Sequence, residues 1–186
     1  MYQIKVLSSR RIYDGAVFSI RADKVDLGNG VVASRDVVEH SPAVCILPVD
    51  GQGRVYLVRQ YRHAVGQMIL EAPAGLMEPG ETPEQAAERE LREETGAKGK
   101  LTFLGQYLSS PGFCEEVVNL FLARVESFGD TDFDADEFLT TETYDFDTYY
   151  DMAATGKIRD GKTVAIALQA ARILKNEGDF RHVETR

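Results

Sequence analysis

At 186 residues the chain has the length of one globular domain with a modest addition, and 44% hydrophobic residues are enough to bury a sizeable core. A net charge of -9 speaks against non-specific nucleic-acid binding, which depends on Lys and Arg neutralising phosphates. No apolar run approaches a membrane span, the first residues lack the apolar core of a signal peptide, and Cys45 and Cys114 are too few for a disulfide framework, so a cytoplasmic location is the default expectation.

Residues 1–40 read as a strand-rich preface. Tyr2, Ile4 and Val6 alternate, as do Ala16, Phe18, Ile20 and Ala22, and Gly28-Asn29-Gly30 is a hairpin signal ahead of a strand from Val31 to Glu39. A sheet this small needs a partner surface. Ser41-Pro42 marks a junction, and residues 41–186 form the main domain. Ala43 to Val49 reads as a buried strand, turned by Asp50-Gly51-Gln52-Gly53 into Arg54 to Gln60. A polar loop follows Arg62, and Met68 to Ala74 delivers the chain to an acidic stretch. Leu101 to Leu108 and Val117 to Val125 are further strands, separated by the turn Ser109-Ser110-Pro111-Gly112-Phe113. Residues 128–137 form an acidic loop. Two helices close the chain, one near Asp145 to Thr155 and one from Gly161 to Asn176, with Val164, Leu168, Ala171 and Leu174 near helical spacing. Strands flanked by helices predict an α/β/α sandwich around a mixed sheet, preceded by a small antiparallel sheet.

The acidic stretch, GLMEPGETPEQAAERELREETGA from Gly75 to Ala97, predicts a helix over Pro83 to Thr95. Thr82 is a good N-cap, Pro83 suits the first helical position, Gln85 completes a capping box, and Gly96 suits a left-handed C-cap. This helix breaks a local rule. Glu90 and Glu94 stand one turn apart with Glu93 beside them, and like charges at that spacing cost roughly 0.2 to 0.5 kcal/mol per pair. They also lie near the C-terminal end, where the helix dipole disfavours negative charge. Arg89 can reach Glu93 and Glu88 can reach Arg92, but neither contact relieves Glu90 and Glu94. A hard divalent cation such as Mg2+, which prefers carboxylate and phosphate oxygens, is the simplest compensation.

Gly75, Glu81, Arg89-Glu90-Leu91, Glu93-Glu94 and Gly96, at these spacings, fit the Nudix box, and the chain resembles the Nudix hydrolases. Ala97 stands where that family usually has a larger aliphatic residue. The resemblance implies an α/β/α Nudix fold and attack of water on a nucleoside diphosphate linked to another moiety. Glu90, Glu93 and Glu94 would hold Mg2+, with Mn2+ as the alternative, and the carbonyl of Ala74 is a further ligand by resemblance. Bound there, the metal neutralises the diphosphate and lowers the pKa of a bound water. Arg89 is structural, anchoring Glu93 or Glu81, and Gly75 opens the box. The general base is either a box glutamate, Glu93, or a carboxylate of the later acidic loop: Asp134, Asp136 or Glu137.

Features outside the box resemble the ADP-ribose and nucleoside diphosphate sugar pyrophosphatases: Arg11-Ile12-Tyr13-Asp14-Gly15, Phe18, Val38-Glu39-His40, Arg59-Gln60-Tyr61-Arg62, Glu71-Ala72-Pro73-Ala74-Gly75 and Ser110-Pro111-Gly112-Phe113. A proline near the position of Pro111 is associated with the ADP-ribose group. Arg62 is the candidate diphosphate clamp, because a guanidinium binds phosphate oxygens bidentately. Phe18 could stack on the base, Glu116 could accept from a sugar hydroxyl or meet a second metal, and Glu71 and Pro111 complete the substrate-binding set. The expected reaction is metal-dependent hydrolysis of ADP-ribose or a related nucleotide sugar. A hexose nucleotide such as GDP-mannose or UDP-glucose is the alternative substrate, and a non-catalytic nucleotide-binding module is the alternative class. By resemblance the N-terminal sheet builds a homodimer.

Overall fold

The computed structural model describes residues 3–132 and 139–176. The chain divides into two compact units, one running to Pro42 and taking in Leu108–Val117, the other made of Ala43–Tyr107 and the chain from Val118 onward.

The first unit is a three-stranded antiparallel sheet of β1 (Lys5–Asp14), β2 (Phe18–Asp26) and β3 (Val32–His40), in that order. Its hairpin turn falls where Gly28-Asn29-Gly30 predicts it, with positive φ at Gly28 and Gly30. Leu108–Val117 groups with this sheet. Val38 N donates to Phe113 O at 2.7 Å and Glu115 N to Val38 O at 3.1 Å, so the turn after Ser110 is pinned to β3. Arg21 reinforces the join by donating from Nη1 to both Glu39 and Glu115 at 3.0 Å.

The second unit carries a mixed sheet in the order β10 (Thr140–Asp145), β5 (Arg54–Arg62), β4 (Ala43–Val49), β9 (Val117–Phe128), β8 (Ala97–Leu108). Short strands β6 (Gln67–Glu71) and β7 (Ala74–Leu76) pair with β5 and β4, and a 3-10 turn at His63–Val65 fills the polar loop after Arg62. Because β4 and β9 run parallel in the middle, both of their faces are covered, and both read as apolar runs rather than alternations. Val44, Ile46, Phe121 and Ala123 pack with Ala86, Ala87 and Leu91 of α1 (Pro83–Thr95). Their neighbours Cys45, Leu47, Leu120 and Leu122 point the other way, against Tyr149 of α2 (Phe146–Ala154) and Ile166, Ala170 and Leu174 of α3 (Gly161–Asn176). The result is the three-layered sandwich that the alternation of elements predicts.

Two local readings need correction. Leu168 lies 57% exposed, so the buried stripe of α3 runs through Ile166, Ala167, Ala170, Ala171 and Leu174. Strand β10 is a segment the sequence reading passed over; it pairs antiparallel with β5 along its whole length, from Thr140 opposite Arg59 to Asp145 opposite Arg54. Each buried leucine of the central strands contributes about 1.5–3 kcal/mol by leaving water. Leu120→Ala should therefore lower the unfolding free energy by about 2–5 kcal/mol in urea titration, the cavity adding to the lost transfer energy.

Candidate active site

The site begins at the junction of β7 and α1. Strand β7 lies antiparallel on β4, with Val44 opposite Gly75 and Cys45 opposite Ala74. Helix α1 starts abruptly: Thr82 Oγ1 accepts from Gln85 N at 3.3 Å, and the Gln85 side chain accepts from Thr82 N at 2.9 Å. It ends at Gly96, whose φ of 68° needs a glycine and whose N donates to Arg92 O. Between these caps, the face that buries Ala87 and Leu91 also buries Glu90 and Glu94, which are 8% and 2% exposed.

Both buried glutamates lean on β7. Ala74 N donates to Glu94 Oε2 at 3.2 Å. A Cβ on Gly75 would fall 1.9 Å from Glu90 Oε1, so a side chain there would displace that carboxylate from its place against β7. The contact explains why the box opens on Gly75.

Arg89 binds the constellation together. Its Nε and Nη2 donate to the two oxygens of Glu81 at 2.9 and 3.0 Å, Nη2 also donates to Leu76 O, and Nη1 reaches Glu90 Oε1 at 2.5 Å and Glu93 Oε2 at 3.2 Å. The sequence reading anticipates Glu81 and Glu93 but holds that no local contact relieves Glu90; the guanidinium of the preceding residue does so, its fan of donors being wide enough to serve three carboxylates. The Arg89 hydrogen bond, helped by Glu78 N, holds the Glu81 carboxyl down at about 2. Glu93 is also met by Arg92, which donates to Oε1 at 2.9 Å. Among the described residues no three acidic, histidine or cysteine side chains converge as a ready metal cluster. The side chains that Arg89 gathers here are carboxylates, whose oxygens are the ligand type a hard divalent cation takes.

The acidic loop meets this helix at its described start. Asp132 N donates to Glu93 O at 3.0 Å and Gly129 N to Gly96 O at 2.8 Å. Asp134, Asp136 and Glu137, the carboxylates expected of that loop, lie outside the described residues.

Arg62 and Glu71 come together at the ends of β5 and β6. Arg62 donates from Nε and Nη2 to the two oxygens of Glu71 at 2.7 and 2.8 Å, a parallel fork. Glu71 is only 2% exposed, whereas the Arg62 side chain is 42% exposed. Burial pushes Glu71 up, but Arg62 and Lys162 outweigh it and hold the carboxyl below its ordinary value. Lys162, which the sequence reading passes over, donates Nζ to Glu71 Oε2 and lies 3.1 Å from Asp160. Its signal was legible in part: Asp160 immediately precedes the predicted helix start and caps it, accepting from Thr163 N at 3.0 Å. A cavity of about 520 Å³ opens here, lined by Arg62, Val65, Gln67, Ile69, Glu71 and residues 159–162.

Phe18, Pro111 and Glu116 belong to the first unit. Phe18 is 39% exposed, its ring 5.7 Å from that of Tyr13, and it sits opposite His40 in the sheet register. His40 Nδ1 lies 3.6 Å from Glu116 Oε1, and Phe18 and His40 line a cavity of about 260 Å³.

With this geometry in hand, the wider comparisons are direct. Residues 39–169 match the NUDIX domain, and the chain belongs to the Nudix family of pyrophosphate hydrolases. It is 36% identical over 168 residues to an ADP-ribose pyrophosphatase of Bacillus subtilis (strain 168), covering 89% of this chain and 90% of that one. It is 33% identical over 181 residues to a GDP-mannose pyrophosphatase of Klebsiella pneumoniae subsp. pneumoniae, covering 89% and 83%. The fold matches a crystal structure described as an ADP compounds hydrolase, with a TM-score of 0.83 at 22% identity over 96% of this chain and 97% of that one.

The Glu81–Arg89 pair makes a pH prediction. The folded Glu81 carboxyl lies at about 2 against an ordinary 4.5, so its contribution to stability is complete above pH 4.5 and is lost as pH falls towards 2. The gap in urea midpoint between wild type and Glu81→Gln should be open at pH 6 and close progressively below pH 4.5.

Proposed function

We propose that the chain hydrolyses the diphosphate bond of ADP-ribose, or of a closely related nucleoside diphosphate sugar, with Mg2+, giving a nucleoside monophosphate and a sugar phosphate. The observation that carries this reading is the burial of Glu90 and Glu94 against β7. Buried carboxylates are costly unless charge compensates them. Arg89 meets Glu90, and the carboxylate oxygens gathered here are of the kind that a divalent cation bearing the substrate's phosphates takes.

Glu90, Glu93, Glu94 and the carbonyl of Ala74 are the residues that would hold Mg2+, Mn2+ being the alternative. When bound, the ion neutralises the diphosphate and lowers the pKa of a water. Arg92 is 49% exposed, so it gives up Glu93 at little cost. Glu81 and Arg89 keep the carboxylates aligned, and Gly75 lets Glu90 approach the strand. The base that takes the water's proton is Glu93 or one of Asp136 and Glu137; the hydrogen bonds from Gly129 and Asp132 to the end of α1 support a role for their loop. Arg62 receives the diphosphate and Glu71 serves it through Arg62. In the first unit Phe18 offers a ring to a base, and Pro111 and Glu116 shape a sugar contact.

The Bacillus subtilis relative supports ADP-ribose as the substrate, and the Klebsiella relative supports GDP-mannose as the second reading. A panel of ADP-ribose, GDP-mannose and UDP-glucose with Mg2+ separates them. AMP with ribose 5-phosphate should form fastest; faster release of GMP moves the chain to the second reading, and no turnover with Mg2+ or Mn2+ defeats both. EDTA should abolish turnover, and Glu94→Gln should lower kcat/KM by about 100-fold or more while the protein stays folded.

A homodimer built on the first sheet belongs to the same proposal. Every residue of β1 is exposed, including Val6 at 61%, Leu7 at 56% and Ile12 at 49%. An edge strand presenting apolar side chains is a pairing surface. Light scattering on a sizing column should give the mass of a dimer, and Val6→Glu with Ile12→Glu that of a monomer. A monomeric wild type contradicts the proposal.

A further inference from the structure

Lys162 is a half-buried cation that the reaction outlined above leaves without a task. Its amine donates to Glu71 Oε2 and is backed by Asp160 at 3.1 Å. Asp160 is itself fixed, accepting from Thr163 N and Oγ1, and Thr163 Oγ1 accepts in turn from Ala72 N at 2.8 Å. The start of α3 thereby grips the link between β6 and β7, the same link whose far end, Ala74, donates to Glu94.

Glu71 has two cations for one carboxylate. Arg62 takes both of its oxygens, with 42% of its side chain exposed, while Lys162 takes Oε2 with 16% exposed, and both cations line the cavity. Held by Arg62 alone, Glu71 would keep that guanidinium, because withdrawing it would strand a buried charge. Held also by Lys162, the carboxylate stays compensated when Arg62 turns into the cavity. Arg62 is close enough to the box for the Glu94 charge to act on it. We propose that Lys162, braced by Asp160 and Thr163, is a positioning residue that secures Glu71 so that Arg62 is released to the substrate's diphosphate. The inference rests on the hydrolase reading and names the device by which that site accepts its anion.

The test uses the full chain and the best substrate of the panel. Lys162→Met leaves Arg62 as the sole partner of Glu71, so KM should rise by about tenfold or more while kcat changes by less than about threefold. Adding Glu71→Gln removes the competing charge, and the double variant should recover part of the KM lost in Lys162→Met. Lys162→Arg, which keeps the cation, should hold KM near wild type. A purely structural Lys162 predicts the opposite pattern, with the double variant as impaired as the single one or more so. An unchanged KM in folded Lys162→Met, or no recovery in the double variant, overturns the inference while leaving the hydrolase reading intact; an inactive wild type defeats that reading instead. Should Lys162→Met fail to fold by circular dichroism, Lys162→Gln takes its place: a KM raised by about tenfold supports the inference, and an unchanged KM contradicts it.

Discussion

The second unit's chemistry depends on one guanidinium. Glu90, Glu93 and Glu94 crowd the C-terminal half of α1, where neither their mutual repulsion nor the helix dipole favours them. Arg89 makes the arrangement tenable: it joins Glu81, Glu90, Glu93 and the carbonyl of Leu76 in one set of hydrogen bonds. A lysine could not do this, because its single ammonium lacks the planar fork that meets both oxygens of Glu81 while still reaching Glu90. The price is a helix that stays short of its own best stability, and the return is a concentrated patch of carboxylate oxygens at the end of a rigid strand.

The same logic recurs with the signs shared out differently at the start of α3. There one buried carboxylate, Glu71, is matched by two cations, Arg62 and Lys162, and Asp160 balances the second. The short link from Glu71 to Ala74 is fastened at both ends, to Thr163 through Ala72 N and to Glu94 through Ala74 N. The carboxylate-rich helix and the cation-bearing helix start are thus coupled through four residues of main chain. Both places hold charge that is balanced by partners within the protein.

Much of this was legible in the sequence wherever local chemistry decides structure. Thr82, Pro83, Gln85 and Gly96 specify α1 to the residue because caps act within a single turn. The apolar runs of β4 and β9 announce a doubly covered sheet for a similar reason. Legibility failed where partners are distant. Lys162 finds Glu71 across ninety-one positions, and Arg21 finds Glu115 across ninety-four. Strand β10 owes its place to β5, and its six residues, Thr140-Thr141-Glu142-Thr143-Tyr144-Asp145, are too short and polar a signal beside the acidic run that precedes it. The same kind of distance separates Leu108–Val117, a good turn by composition, from its backbone partners on β3. The contact of Arg89 with Glu90 escaped for another reason: neighbouring residues on a helix do not face each other as a rule, and only a long, branched guanidinium folds back far enough.

The central claim is that the box carboxylates hold a divalent ion, and it can be tested without turnover. Mn2+ binding followed by electron paramagnetic resonance, with the free-ion signal titrated against protein in the presence of AMP, reports occupancy directly. The account predicts that wild type removes the free signal and that Glu90→Gln and Glu94→Gln, each still folded, leave most of it in solution. Equal binding by wild type and both variants would contradict the account and move the metal, if one is used, away from α1.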